Sequence, residues 1–342
     1  MIENTLDQIG FKVLPVGLGG IPIQRLDLEE SDRLLATALD LGVNFFDSAR
    51  AYTDSEMKMG RVLAKKRKQV CIASKSMARE GRALAADLEL SLQDLATDYL
   101  DIYQCHNVSS EADLQAILAP GGALETLEKK RQAGTIRFIG ITGHKPWLLL
   151  KALKIFPFAT VQVPINYLET LALAELVPAA RRAGIGVIAM KPMAGGAIQE
   201  RSLNLRFIFA AGADLAIPGV DSPIQIRENL ACLEELRPLD SEEIARLERE
   251  KSLLGTSFCR RCEYCQPCPA GLPIAFLHVL RAYYFRYNLQ DWVLERLKSL
   301  PKSYADCLAC GACREKCPYD LDTPAIFRET REKIAADLPG RI

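Results

Sequence analysis

The segment VCIASKSMAREGRALAADLELSLQDLATDYLDIYQCH (70–106) contains two apolar runs separated by an amphipathic stretch. The runs VCIASK (70–75) and LDIYQCH (100–106) are apolar until they end in polar residues, which is typical of strands buried on both faces. Between them, leucines recur with helical spacing from Leu84 to Leu95. The segment therefore predicts one strand–helix–strand unit of a parallel sheet.

Similar units recur on both sides of this segment. Helical patterns lie at 29–41, 122–133 and 172–183. The other apolar runs are VLPVGLGG (13–20), VNFFDS (43–48), IRFIGIT (136–142), ATVQVP (159–164), IGVIAM (185–190) and DLAIPG (214–219). Eight strand–helix units predict an α/β fold of the TIM (β/α)8 barrel type. A doubly wound open sheet competes with it, but that fold places GxGxxG after its first strand, and GLGG (17–20) lacks this spacing.

The composition excludes several classes of partner. The chain has 342 residues, and its 43 Lys and Arg balance 43 Asp and Glu, so we expect no nucleic acid and no anionic membrane surface as partner. The start, MIENTLDQIG, lacks a basic-then-apolar signal pattern. Since no uncharged apolar run reaches the ~18 residues that span a bilayer, we expect a cytoplasmic protein.

The sequence pattern changes after Asp240. SEEIARLEREKSLLG (241–255) predicts a helix with Ser241 as its N-cap and Gly255 as its end. Cysteine-rich sequence follows, interrupted by a helical segment (273–301) in which His278 is expected on the helix surface. We therefore predict a barrel domain over 1–250 and a small helical domain over 251–342.

Eight of the eleven cysteines fall in two runs near the C-terminus, and Cys71, Cys105 and Cys232 are expected in the core or in strands. The runs are Cys259-x2-Cys262-x2-Cys265-x2-Cys268-Pro and Cys307-x2-Cys310-x2-Cys313-x3-Cys317-Pro. Such runs are typical of two-cluster ferredoxins, in which the fourth cysteine ligates the other 4Fe-4S cluster. On that pattern one cluster takes Cys259, Cys262, Cys265 and Cys317, and the other takes Cys307, Cys310, Cys313 and Cys268. The first run is one residue shorter before its last cysteine. A pair of structural zinc sites is the alternative.

Polar residues end or follow three successive apolar runs: Asp47 and Tyr52 at the second, Lys75 at the third and His106 at the fourth. In a TIM barrel the active site lies at these strand ends. An ammonium beside a tyrosine makes the phenol a better acid. Each residue alone has an ordinary alternative as packing or solvated surface.

These residues, with NFFDSARAY (44–52), IASKS (72–76), YQCHNV (103–108) and GVIAMKPMAGG (186–196), resemble the aldo-keto reductase family over about residues 5–250. With the cysteine runs, the whole chain is similar to the branch of that family that carries a C-terminal two-cluster ferredoxin-type domain. The resemblance implies that Tyr52 is the proton donor, Lys75 lowers its pKa, Asp47 holds Lys75, and His106 orients the carbonyl.

The resemblance also implies a nicotinamide dinucleotide cofactor, NADP(H) or NAD(H), bound across the barrel mouth. Its expected contacts are Thr142 and Gln162 at the carboxamide, with Asn166 nearby, Met190 at the nicotinamide ring, Lys191, Gly195 and Gly196 at the pyrophosphate, and Glu228 and Asn229 at the adenine. Gly219 and Gln225 stand where many relatives have the Lys and Arg that hold the 2′-phosphate of NADP, and Asp221 lies close by. The choice between the two cofactors is open.

The predicted function is therefore NAD(P)H-dependent reduction of a carbonyl, or oxidation of an alcohol, coupled to or stabilised by two 4Fe-4S clusters. An iron–sulfur electron-transfer or redox-sensing protein, with a nucleotide-binding barrel of low turnover, is the alternative. The expected partners are a small-molecule carbonyl or alcohol and, if the clusters pass electrons, a one-electron carrier. The substrate is left open.

Overall fold

The computed structural model describes residues 4–6, 10–254, 258–261, 263–317 and 319–337. A short antiparallel hairpin of β1 (Asn4–Leu6) and β2 (Phe11–Val13) comes first. Eight parallel strands follow: β3 (Leu18–Gly19), β4 (Phe45–Asp47), β5 (Cys71–Ser76), β6 (Leu100–Cys105), β7 (Ile136–Thr142), β8 (Thr160–Pro164), β9 (Gly186–Met190) and β10 (Leu215–Ile217).

The eight strands pair in chain order, and the first and last also meet. Parallel bridges join Val16 to Ala216 and Gly19 to Gly219. A Cβ atom on Gly19 would lie 2.8 Å from the carbonyl oxygen of Ile217, so the seam needs glycine there. The predicted (β/α)8 barrel is confirmed, and the open-sheet alternative is excluded.

Helices cover the barrel: α1 (Leu28–Asp40), α2 (Ser55–Leu63), α3 (Gly81–Asp94), α4 (Glu111–Leu118), α5 (Ala123–Gln132), α6 (Pro146–Ile155), α7 (Leu171–Ala174), α8 (Leu176–Arg182), α9 (Arg201–Ala210) and α10 (Pro223–Ala231). Their apolar faces and the outer faces of the strands form one core, which contains Cys105 and Cys232. A second core fills the barrel interior and contains Cys71. None of the helices in the described ranges combines the length and apolar character needed to span a bilayer.

The next helix, α11 (Ser241–Leu254), begins with a cap that differs from the predicted one. The carboxylate of Asp240 accepts hydrogen bonds from the N–H groups of Glu242 (3.0 Å) and Glu243 (2.9 Å). Asp240, and not Ser241, is thus the N-cap, because it satisfies N–H groups of the first turn. Gly255, the predicted end of this helix, lies outside the described residues.

Contacts divide the chain into a barrel unit (1–194 and 200–243) and a cluster unit (195–199 and 244–342). The domain limits expected from the sequence, 1–250 and 251–342, remain a prediction. The cluster unit contains α12 (Ile274–Phe285), α13 (Gln290–Ser299), α14 (Ala312–Glu315) and α15 (Thr323–Asp337) around an apolar core. Within this unit the N–H group of Gln199 donates to the Glu250 carboxylate (2.6 Å), and Gly195 approaches the ring of Tyr287.

His278 belongs to the core of the cluster unit, so its expected place on the helix surface is wrong. The residue is 8% exposed, and its Nε2 lies 3.0 Å from the hydroxyl of Thr323. Its ring is 4.9 Å from that of Phe327. Helix α12 therefore turns His278 toward α15.

Candidate functional site

An ion pair between Asp47 and Lys75 lies at the carboxyl ends of β4 and β5. The two residues are 2% and 1% exposed, and Lys75 Nζ is 2.5 Å from Asp47 Oδ2. Lys75 also donates to the carbonyl of Ser48 (2.7 Å). Burial raises the pKa of the Asp47 carboxyl and lowers the pKa of the Lys75 ammonium, and the attraction between the two opposes both shifts.

Tyr52 and His106 converge on this ion pair. Tyr52 lies in the loop between β4 and α2, with the Lys75 ammonium 4.9 Å from its ring centroid. The His106 ring, which follows β6, meets the Tyr52 ring edge to face at 5.8 Å. The structure thus brings the four predicted catalytic residues together at one end of the barrel.

The imidazole of His106 is held in its neutral form. Burial lowers its pKa well below the usual value, and the nearby cations Lys75, Arg79 and Lys191 lower it further. Its buried Nδ1 makes no hydrogen bond to any residue that the structure describes. The guanidinium of Arg79, which sequence reasoning missed, donates to the carbonyls of His106 and Asn107 (both 2.9 Å) and so fixes the backbone that carries the ring.

Side-chain amides form a polar layer beside the ion pair. Gln104 Nε2 lies 3.4 Å from Asp47 Oδ1 and 3.1 Å from Gln162 Oε1. Gln162 Nε2 is 3.9 Å from the sulfur of Met190. Sequence reasoning singled out Gln162 and Met190 but missed Gln104, although a glutamine within an apolar run two residues before His106 was a signal for it.

The other residues expected around the nicotinamide are engaged with the backbone. The hydroxyl of Thr142 accepts a hydrogen bond from the N–H group of Asn107 (2.8 Å). The Asn166 side chain binds the carbonyl of Lys191 (3.1 Å) and the N–H groups of Leu168 and Glu169 (3.0 and 2.9 Å). Asn166 therefore builds the turn after β8. Thr142 keeps a hydroxyl proton that it can donate.

Lys191 and Gly195, expected at the pyrophosphate, lie in the segment after β9. Lys191 has a positive φ of 51°, and Gly195 and Gly196 have φ values of 70° and 81°. Backbone of this kind can turn successive N–H groups toward one anion. Gly195 and Gly196 belong to the cluster unit, whereas Lys191 belongs to the barrel unit.

The loop after β10 is acidic where NADP-binding relatives are expected to be basic. Asp221 forms an ion pair with Arg25, and its N–H group donates to Gln225 Oε1 (2.9 Å). Gly219 lies at the barrel seam, where a Cβ atom would be 2.8 Å from Pro22. Gly219 and Gln225 thus bring no cation to this loop.

Two residues of α10 were expected at the adenine, and they differ in their environment. Glu228 is exposed and forms an ion pair with Arg201. Asn229 is 3% exposed, and its buried Oδ1 has no hydrogen-bond donor within the described part of the chain. A buried amide oxygen without a donor fits an amino group of a bound nucleotide.

Cysteines line two cavities of the cluster unit. The Cys307 cavity, of about 20 Å³, is lined by Cys268, Cys307, Cys310 and Cys313, with apolar walls that include Leu272 and Phe327. These are the four cysteines that the spacing assigned to one cluster. The shorter first run therefore still brings Cys268 to the second run.

The Cys259 cavity, of about 20 Å³, is lined by Cys259, Cys265 and Cys317, and Cys313 also borders it. Cys262, the fourth predicted ligand, lies outside the described residues. The Cys307 cavity joins Cys268 of the first run to three cysteines of the second, which is the crossed ligation of a two-cluster ferredoxin. The residues present thus fit iron–sulfur clusters.

Known proteins match both parts of the chain. The model of the aldo/keto reductase family matches residues 14–205, and that of a 4Fe-4S dicluster domain matches residues 258–322. The L-galactose dehydrogenase of Arabidopsis thaliana is 31% identical over 217 residues, which cover 58% of this chain and 67% of the relative.

Solved aldo-keto reductases share the barrel fold. The holo form of one from Bacillus halodurans superimposes with a TM-score of 0.63 at 22% identity, covering 73% of this chain and 96% of that structure. One from Klebsiella pneumoniae, in complex with NADPH, gives 0.62 at 24% identity and covers 73% and 95%. At these identities the likeness concerns the fold.

Proposed function

Because the chain belongs to the aldo/keto reductase family and carries a 4Fe-4S dicluster domain at its C-terminus, we propose that it reduces a small carbonyl compound with NADPH or NADH, or oxidises the corresponding alcohol. The observation that carries the proposal is the convergence of Tyr52, Lys75, Asp47 and His106 at one end of the barrel. The reduced nicotinamide supplies a hydride to the carbonyl carbon.

The protein supplies the proton and holds the oxygen. Tyr52 donates its phenolic proton to the carbonyl oxygen, and the Lys75 ammonium stabilises the phenolate that remains. Asp47 holds Lys75 in place through the buried ion pair. Neutral His106 donates a hydrogen bond to the same oxygen, which orients the substrate.

Several residues would hold the cofactor. Gln162 and Thr142 offer amide and hydroxyl groups to the carboxamide, and Met190 offers a polarisable surface to the ring. Asn229 offers its unpaired Oδ1 to the adenine. Gly219 and Gln225 bring no cation, and the nearby Arg25 is already paired with Asp221, so we propose that NADH binds at least as well as NADPH.

The test is oxidation of NADPH and of NADH with a panel of aldehydes and ketones, without oxygen. Tyr52→Phe should lower kcat by about 10²-fold or more while nucleotide fluorescence shows unchanged cofactor binding. Tyr99→Phe is the matched control, since Tyr99 is also half-buried but stacks under Arg67 (3.8 Å). Equal turnover of the two variants would refute the proposed role of Tyr52.

The four cysteines of the Cys307 cavity support one cluster, and Cys259, Cys265 and Cys317 at the Cys259 cavity support a second, ligated as the spacing predicts. A 4Fe-4S cluster passes one electron at a time. Electron transfer is a second candidate function, because Cys310 is exposed and Leu308, which directly follows Cys307, is 69% exposed. Bleaching of the cluster absorbance by NADPH or NADH, without turnover of any carbonyl, would favour this candidate.

A further inference from the structure

The loop that carries Tyr52 is closed by a pair of buried serines. The hydroxyls of Ser48 and Ser55 lie 2.9 Å apart, and both residues are fully buried. Ser55 also donates to the carbonyl of Gly20 (3.1 Å). These contacts close the loop but leave Tyr52 at its middle, beside Thr53, which has a positive φ of 38°. Backbone hydrogen bonds join the start of the loop to β5, from Ser48 to Ala73 and from Arg50 to Lys75, and a side chain adds a further tie.

A buried carboxylate provides that tie. Glu56, in the first turn of α2, is 1% exposed and accepts hydrogen bonds from the guanidinium of Arg50 and the hydroxyl of Ser74. Arg50 lies in the Tyr52 loop, and its guanidinium also binds Asp94 at the end of α3 (2.7 Å). Glu56 thus links the loop to β5 and α3.

The point where Glu56 meets β5 is next to the candidate active site. Ser74 directly precedes Lys75, and successive side chains of a strand point to opposite faces. Glu56 therefore holds β5 from one face, while Lys75 meets Asp47 on the other. The N–H group of Arg50 donates to the carbonyl of Lys75 (3.1 Å), which ties the same two segments through their backbones.

We propose that Glu56 is a positioning residue for carbonyl reduction: through Arg50 and Ser74 it fixes the Tyr52 loop at the distance from Lys75 that proton donation requires. The inference rests on the proposed function. In the proposed reaction, neither Arg50 nor Glu56 touches the reacting atoms.

The charge of Glu56 also acts on Lys75. Burial lowers the pKa of the Lys75 ammonium, and the carboxylates of Asp47 and Glu56 oppose that decrease. Several titratable groups surround Glu56 and Lys75. They include Arg50 from the loop, Asp94 from α3, Tyr103 from β6, Asp47 from β4, and Tyr52 and His106 at the barrel end. Removal of the Glu56 charge should make Lys75 lose its proton at lower pH.

The experiment compares Glu56→Gln with Asp101→Asn in the full chain. Asp101 is a matched control because it too forms a buried ion pair, with Arg67 (2.7 Å), but at the opposite end of β6 from His106. For Glu56→Gln we expect kcat to fall by roughly 10- to 100-fold, as misplacement of an acid by ~1 Å predicts. The alkaline limb of kcat should move to lower pH, with cofactor affinity unchanged.

Glu56→Asp, which keeps the charge, should restore the alkaline limb. If both Glu56→Gln and Asp101→Asn lower the melting temperature and neither moves the pH profile, Glu56 only stabilises the fold and the inference is wrong. If Glu56→Gln does not fold, Ser74→Ala replaces it, and an unchanged kcat would then refute the inference. Absence of Tyr52-dependent turnover in the unsubstituted chain would instead refute the proposed function.

Discussion

Mild acid should destabilise the cluster unit through His278. Burial, with a smaller contribution from the Arg281 cation, lowers the pKa of this imidazole from 6.5 to about 3. In the unfolded chain the imidazole is solvated and returns to its usual pKa. As the pH falls, the unfolded state therefore binds the proton before the folded state does. The contribution of neutral His278 to the free energy of unfolding is complete above the pKa of the unfolded chain and is lost as the pH falls toward the pKa of the folded chain.

The size of the effect follows from the width of this window. Each pH unit between the two pKa values costs ~1.4 kcal/mol of the free energy of unfolding. Acidification from neutral pH to about pH 4.5 crosses roughly two units of the window, so His278 should cost ~2.7 kcal/mol there. This is a large part of the stability of a small domain.

Urea unfolding at a series of pH values tests this prediction. Fluorescence of Trp292 reports on the cluster unit when the second tryptophan is removed by Trp147→Phe. His278→Gln in the same background is the control, because its amide can still bind Thr323 but does not titrate. Acid acts on carboxylates and clusters equally in both chains, so the difference in stability between the two chains reports on His278. Equal loss of stability in both would refute the reasoning.

Three further predictions concern the cofactor, the clusters and the barrel. Asp221→Asn should tighten NADPH binding relative to NADH by on the order of 10-fold, measured by nucleotide fluorescence; an unchanged ratio would contradict the charge argument. Cys268→Ser should lower the iron and sulfide content of the purified chain by roughly half, whereas Cys105→Ser, at a buried barrel cysteine, should leave it intact. Gly60→Ala should lower the free energy of unfolding by about 1–3 kcal/mol, because its Cβ would lie 2.2 Å from the carbonyl oxygen of Asp94; equal urea midpoints would exclude this.

The barrel could be predicted because its strands are continuous apolar runs that end in polar residues. The same rule located Asp47, Lys75 and His106, since the carboxyl ends of parallel strands meet at one end of a barrel. Asp47, Lys75 and His106 lie together in the structure, and their catalytic roles remain a proposal. The cysteine spacing similarly predicted which thiols share the Cys307 cavity.

Residues whose roles depend on packing could not be found in the sequence. Glu56 lies in a charged stretch typical of an exposed helix, yet it is buried because β5 and the Tyr52 loop close over it. His278 was placed on a surface because a single helix does not show which face packs. Asp240 and Ser241 are both good N-caps, and only the backbone geometry chooses between them.

The division of the chain has a consequence for protein engineering. Five residues, 195–199, belong to the cluster unit although they follow β9 of the barrel. Truncation of the chain after position 243 would delete Glu250, which Gln199 contacts, and Tyr287, which Gly195 approaches. Residues 195–199 would then lose these contacts. Transfer of the cluster unit to another reductase therefore requires two segments, the insert 195–199 and the C-terminal part from residue 244. A simple C-terminal fusion would transfer only the second.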